Sequence, residues 1–257
     1  MEYKIVFLDI DGTITSDEDG SISTNTIEAI KALKKKGLKV VAATGRPLSM
    51  CNEIKKLGID TFITANGAYV VNDEEVIHKV PMDKNILQDV VEFAAAQNHG
   101  LSFYTDGLSM NGVRDDNILR ALKETLSLSD YPEINQGEFN HEVFLLCLFA
   151  NDEMVDTYIH KFPHLSFRRW HPFILNVLKE DVSKSLAVMK TLEYFKIHQS
   201  EAIAFGDGEN DVDMLELAGL GIAMGNGSEK LKLAADFVTK KSSKDGIAFA
   251  LKKYGII

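Results

Sequence analysis

Cysteine is scarce in this chain. The two it has in 257 residues, Cys51 and Cys147, lie far apart and make no C-x-x-C pair. That spacing excludes a thiolate metal clamp and makes free thiols in a reducing cytosol the simplest expectation, with one disulfide as the alternative. The five prolines are scattered and no low-complexity tract occurs, which excludes long disordered segments. Basic residues are outnumbered 28 to 38, and the net charge of −10 argues against nucleic acids and anionic membranes as partners. No apolar stretch approaches membrane-spanning length, and the chain enters a strand pattern at once. A soluble, cytoplasmic protein is expected.

What is present reads as an interrupted α/β chain. The length suits two modest domains. Ile5-Val6-Phe7-Leu8 is a strand, the pattern from Ile27 to Leu33 is a helix ended by Gly37, and Lys39–Ala43 is a second strand. A helix over Leu48–Leu57 and a strand over Thr61–Thr64 follow. This alternation implies a parallel sheet with right-handed crossovers, whose ligands gather at the carboxyl ends of the strands. After a hairpin around Asn72–Glu75 the pattern changes. Residues 83–182 read as α-β-β-α-β-α-β-β, an α+β insert with a mostly antiparallel sheet, including strands at Met110–Val113, Leu165–Trp170 and Phe173–Leu178. Alternation returns with a helix over Lys184–Phe195 and a strand over Ala202–Phe205. The expected division is residues 1–82 and 183–257 against 83–182.

Four separated pieces fall on one rim of the expected sheet: Asp9-Ile10-Asp11-Gly12-Thr13, Thr44-Gly45-Arg46, Lys184, and Gly206-Asp207-Gly208-Glu209-Asn210-Asp211. Alone, each also fits an ordinary turn, cap or solvated helix start. Their joint arrival at strand ends points to chemistry. Asp9 and Asp11, two apart on an extended chain, point the same way. With Asp207 and Asp211 they crowd up to four negative charges, tolerable only with a cation. All-oxygen ligands favour a hard ion, and Mg²⁺ suits carboxylates joined by phosphate oxygens. Lys184, the Thr44 hydroxyl, backbone N–H groups after Asp9 and the Asn210 amide would hold the remaining phosphate oxygens. Asp9 then becomes a viable nucleophile, and Asp11 a proton donor and acceptor.

These four motifs, with Asn66-Gly67-Ala68 and an insert between the second and third, resemble the haloacid dehalogenase (HAD) superfamily. In particular they resemble its Cof-type phosphatases with a type IIB cap. The resemblance implies a Rossmann-like parallel-sheet core, an inserted α+β cap that sets selectivity, and hydrolysis of small phosphorylated metabolites such as sugar phosphates. It implies Asp9 as the phosphoryl acceptor and Asp11 as general acid and base. It further implies Mg²⁺ held by the Asp9 carboxylate, the Asp11 backbone carbonyl and Asp207, with Asp211 supporting the metal from behind. Ile10 through its backbone, Thr44, Gly45, Lys184 and Asn210 would bind phosphate, and Thr13 would support the turn. Arg46, Asn66, Arg169 and His171 are candidate substrate contacts. Against the two cap residues stands a plainer reading, with Trp170 in the cap core and Arg168 and Arg169 facing solvent. Phosphoryl transfer to a second hydroxyl, as in a phosphotransferase or phosphomutase, is the alternative activity. A phospho-acceptor signalling module is the alternative of a different class, although it gives the insert no use. No G-x-x-x-x-G-K-[ST] occurs, which disfavours a P-loop nucleotide site.

Overall fold

The computed structural model describes residues 2–126, 128–135, 139 and 141–257. In chain order it begins with β1 (Ile5–Asp9), α1 (Thr24–Lys35), β2 (Lys39–Ala43), α2 (Asn52–Lys55), β3 (Thr61–Thr64), β4 (Tyr69–Asn72) and β5 (Glu75–Lys79). The middle holds α3 (Lys84–Ala96), β6 (Gly100–Tyr104), β7 (Leu108–Met110), α4 (Asp116–Leu126), β8 (Glu133–Ile134), β9 (Leu145–Phe149), α5 (Asp152–Lys161), β10 (Leu165–His171) and β11 (Ile174–Lys179). It closes with α6 (Lys184–Phe195), β12 (Ala202–Gly206), α7 (Val212–Leu217), β13 (Leu220–Ala223), α8 (Glu229–Ala234), β14 (Phe237–Val238) and α9 (Gly246–Lys253). The chain divides into two units. One comprises Met1–Arg46, Cys51–His78 and Ser183–Ile257, the other Pro47–Met50 and Lys79–Val182.

The first unit is built on a sheet of order β14-β13-β12-β1-β2-β3-β4-β5. Pairing is parallel from β14 to β3 and turns antiparallel at β4. β1 lies between β12 and β2, which pair with both its edges, and Ile5–Leu8 are buried on both faces of the sheet, as their unbroken apolar run requires. Ile5 and Phe7 pack with Val41, Ile63, Ala187, Val188 and Met214, while Val6 and Leu8, pointing the opposite way, are equally buried. Register places Leu8 opposite both Ala42 and Phe205. The chain therefore leaves β1, β2 and β12 side by side, and Asp9, Thr44 and Asp207 stand at neighbouring strand ends.

The second unit carries a sheet of order β10-β11-β9-β6-β7-β8, antiparallel except for β7 against β8. Alternate residues Leu101, Phe103, Leu146, Leu148, Leu175 and Val177 face α3 and α5, meeting Leu87, Val90, Ala94, Tyr158 and Phe162. Asp83 caps α3 by accepting hydrogen bonds from the N–H groups of Asn85 and Ile86. The α/β class, the parallel core sheet and the α+β insert agree with the sequence reading.

Several local expectations are corrected. The helix over Leu48–Leu57 is a 3₁₀ turn, Leu48–Cys51, followed by the single turn of α2; Ser49, Cys51 and Asn52 are weak helix formers. The strand expected at Met110–Val113 ends at Met110. There Gly112 takes φ 85° and the Asn111 side chain bonds the Leu101 N–H and the His99 carbonyl. The β10–β11 turn falls at Pro172-Phe173, because a bulge between Arg169 and His171 keeps His171 in the strand. The short β8 had no periodicity long enough to be read. Neither cysteine is in a disulfide and both are buried, and burial pushes each thiol up to about 11, far from reactivity.

Candidate active site

The strand ends first, and the chain then turns sharply. After Asp9 the backbone leaves the extended region into a π-type turn over Ile10–Ile14, with Gly12 at φ 76°. Gly12 is required twice over: that φ suits only glycine, and a Cβ here would overlap the Asp207 carboxylate. This turn separates the two acids that an extended chain would have kept together. Asp9 is buried at 6% exposure, whereas the Asp11 side chain is 52% exposed and turned to Arg46. Arg46 Nε donates to Asp11 Oδ2 at 2.9 Å and its terminal nitrogen to Asp11 Oδ1.

The acids that do gather are Asp9, Asp207 and Asp211, with one oxygen from each lying within 4.8 Å of the others. The expected four-acid cluster is thus three carboxylates. Lys184, the first residue of α6 behind the Ser183 cap, reaches into this cluster and is 2% exposed. Its Nζ donates to Asp9 Oδ1 and Asp211 Oδ1, each at 2.6 Å, and to the Ala43 carbonyl at 3.2 Å. The other Asp211 oxygen accepts the N–H groups of Asp207 and Gly208, both at 3.1 Å, which ties off the loop after β12. Asp207 takes a hydrogen bond from the Thr13 hydroxyl on Oδ1 and one from the Asn226 amide on Oδ2.

The electrostatics follow from this crowding. Burial, reinforced by Asp211 and Asp207, holds Asp9 well above the usual carboxylate range even though Lys184 opposes the shift. Burial and Asp211 push Asp207 up to about 7. Burial alone would lower Lys184, but Asp211 and Asp9 raise it above its ordinary value, so it stays charged. Like charges at this spacing call for a further cation, and an all-carboxylate donor set with no histidine or thiolate fits a hard divalent ion.

Two loops complete the rim. The Thr44 hydroxyl accepts the Arg46 N–H at 3.1 Å, and the Thr44 carbonyl accepts the Asn66 N–H at 3.0 Å. Ala65, Asn66 and Gly67 all take positive φ, 49°, 55° and 105°, a costly run that holds the buried Asn66 inward. Its Oδ1 accepts from Asn210 Nδ2 at 3.0 Å, beside Gly45, where a Cβ would approach Asn66 Oδ1 to 3.2 Å.

The family model for haloacid dehalogenase-like hydrolases matches residues 6–251. The chain belongs to this family. YkrA of Bacillus subtilis strain 168, by its name a candidate phosphatase, is 36% identical over 260 residues, spanning 100% of both chains. A hypothetical protein of Geobacillus kaustophilus HTA426 superposes with a TM-score of 0.92 at 35% identity, over 99% of this chain and 100% of its own. The HAD subclass IIB sugar phosphatase BT4131 gives a TM-score of 0.85 at 33% identity, over 99% and 100%. The chain is accordingly a HAD-type enzyme of the phosphatase kind, as its motifs imply.

Within this hydrolase the first unit brings together Asp9, Thr13, Lys184, Asp207 and Asp211, and links Thr44 to Arg46 and Asn66 to Asn210. The two residues singled out in the second unit are held by partners inside it. Arg169 pairs with Asp152 at 2.7 Å and donates to the carbonyls of Ala150 and Pro172. His171 Nε2 lies 3.0 Å from Glu124. Trp170, expected in that unit's core, is 48% exposed with its indole N–H donating to Asn176, because it sits on the outward register of edge strand β10. Asn226 belongs to none of the motifs read from the sequence. Its one legible signal was its place just after a core strand. Among the described residues no helix is long and apolar enough to cross a membrane.

A pH effect on stability follows for the metal-free hydrolase. A carboxyl whose folded pKa exceeds its unfolded value binds more protons folded than unfolded, so its contribution falls as pH rises. For Asp207 the window runs from its ordinary value of 3.8 to about 7. In chelator, wild type is therefore expected to gain stability over Asp207→Asn as pH is lowered through that window. Equal pH slopes in urea unfolding of the two proteins would refute the burial of charge described above.

Proposed function

We propose that the hydrolase is a Mg²⁺-dependent phosphatase of small phosphorylated metabolites, sugar phosphates or similar, acting through an aspartyl phosphate on Asp9. The observation carrying this reading is the buried Asp9 carboxylate, held on one oxygen by Lys184 beside the Asp207 carboxylate. That arrangement leaves the other oxygen for attack. The likeness to BT4131, a sugar phosphatase, supports the substrate class.

Asp9, Asp207 and the Asp11 backbone carbonyl would hold Mg²⁺, which supplies positive charge at the phosphoryl oxygens and relieves the repulsion among the carboxylates. The Asp9 oxygen attacks phosphorus and the ester oxygen departs, taking a proton from Asp11. Asp11 then removes a proton from water, whose oxygen attacks phosphorus, freeing inorganic phosphate and restoring Asp9. Lys184 keeps Asp9 oriented and offsets charge as the anionic substrate arrives. Thr44, Gly45, Asn210 and the Ile10 backbone line the phosphate side, with Asn66 fixing Asn210. Arg46 holds both Asp11 oxygens, so proton transfer requires that pair to open, and an arriving phosphate is a competing partner for the guanidinium. Residues 83–182 would be the inserted cap that sets selectivity.

The test is phosphate release from p-nitrophenyl phosphate and from a panel of sugar phosphates. Turnover that appears with Mg²⁺ and stops in chelator is expected. Turnover indifferent to chelator, or no release from any phosphomonoester, would overturn the reading.

A further inference from the structure

Asn226 touches the catalytic turn and the metal-side carboxylate at once, yet it contributes no charge and no nucleophile. Its Nδ2 donates to the Gly12 carbonyl at 2.8 Å and to Asp207 Oδ2 at 3.2 Å. Its Oδ1 accepts the backbone N–H of Ser242 at 2.9 Å. That last bond fixes which way the amide faces. A backbone N–H can only donate, so the amide oxygen must face Ser242 and the NH₂ group must face Gly12 and Asp207.

The surrounding loop binds Asp207 a second time, through the Ser228 N–H to its backbone carbonyl at 3.0 Å. Thr13 takes the opposite carboxylate oxygen at 3.4 Å. With both oxygens held, the Asp207 side chain has little rotational freedom left. The Asp9–Thr13 turn, pinned at Gly12 by the same amide, is fixed relative to it. We infer that Asn226 is a positioning residue: its amide locks Asp207 and the Asp9–Thr13 turn into the spacing that a divalent cation needs, and the Ser242 backbone N–H sets the amide's orientation. The inference rests on the metal site of the proposed phosphatase and adds to it a residue that meets neither metal nor substrate.

The test reads metal binding rather than turnover, by calorimetric titration of Mg²⁺ alone into substrate-free protein. Asn226→Ala is expected to weaken binding by about tenfold or more, the usual scale when a partner of a metal ligand is removed. Its KM for p-nitrophenyl phosphate at saturating Mg²⁺ should stay near wild type. A second pair of variants leaves Asn226 untouched. Ser242→Pro deletes the orienting N–H and the hydroxyl and puts a ring carbon where the N–H met Asn226 Oδ1, so the amide loses its anchor and is pushed from it; the position starts a 3₁₀ turn, and the preceding Lys241, at φ −58° and ψ 155°, already has the conformation a residue before proline adopts. Ser242→Ala deletes the hydroxyl and keeps the N–H. Ser242→Pro should bind Mg²⁺ as weakly as Asn226→Ala, and Ser242→Ala as tightly as wild type. Wild-type affinity in Asn226→Ala or in Ser242→Pro would overturn the inference while leaving the phosphatase reading in place. A wild-type protein that takes up no Mg²⁺ would overturn both.

Discussion

Asp9→Asn is expected to lose phosphate release by on the order of 10⁴-fold or more, the scale seen when a nucleophile is removed. Asparagine keeps the shape of aspartate and can still accept the Lys184 hydrogen bond, so the site stays assembled. Its amide cannot attack phosphorus. A second readout separates lost chemistry from lost structure. Because burial and two neighbouring acids hold Asp9 above its ordinary range, its charge is a burden on the metal-free fold. Asp9→Asn should therefore melt no lower than wild type in chelator, a case of function retained against stability. Trapping radiolabelled phosphate on the acid-quenched wild type but not on the variant would complete the assignment. Metal-dependent turnover that survives the substitution would sink the aspartyl-phosphate route.

Lys184→Met carries the opposite signature. The ammonium group is the cation between two buried carboxylates, and its removal leaves Asp9 and Asp211 facing each other without it. Breaking a buried pair from one side costs about 3–5 kcal/mol. Urea unfolding in chelator should show a loss of that order, together with loss of turnover. The loss should shrink in Lys184→Met/Asp211→Asn, where one stranded charge is also removed. A single variant within about 1 kcal/mol of wild type would mean that the carboxylates find protons or water instead, and that Lys184 is not their structural counter-ion.

Much of this site was legible because Asp9 directly follows one apolar run and Asp207 stands one glycine beyond another. Ile5–Leu8 and Ala202–Phe205 had to be strands, parallel pairing brings their carboxyl ends together, and Asp9 and Asp207 come with them. Lys184 was legible as the start of the first helix after the insert. Side-chain direction beyond the strand end was not. Whether Asp11 follows Asp9 depends on a turn in which Gly12 takes a positive φ and leaves no room for a Cβ against Asp207, and that closeness is tertiary. Asn226 was nearly invisible for a related reason: its partners lie 214, 19 and 16 residues away, so beyond its place after a core strand no local pattern marks it. The partners of Arg169, the Asp152 carboxylate and the carbonyls of Ala150 and Pro172, were not legible either, because none is adjacent to it in sequence.

The sheet order has a consequence for how the polypeptide reaches its native state. β1, made first, lies between β2, made soon after, and β12, made only after the whole second unit. During synthesis the first strand thus waits with one edge unpaired, and Asp9 waits without Lys184, until the last quarter of the chain emerges. Apart from Pro47–Met50, the second unit is one continuous stretch, Lys79–Val182, and its pairings can close as soon as it is made. The second unit is placed to fold before the first, and Asp9 meets its counter-ion Lys184 only after that unit has been made.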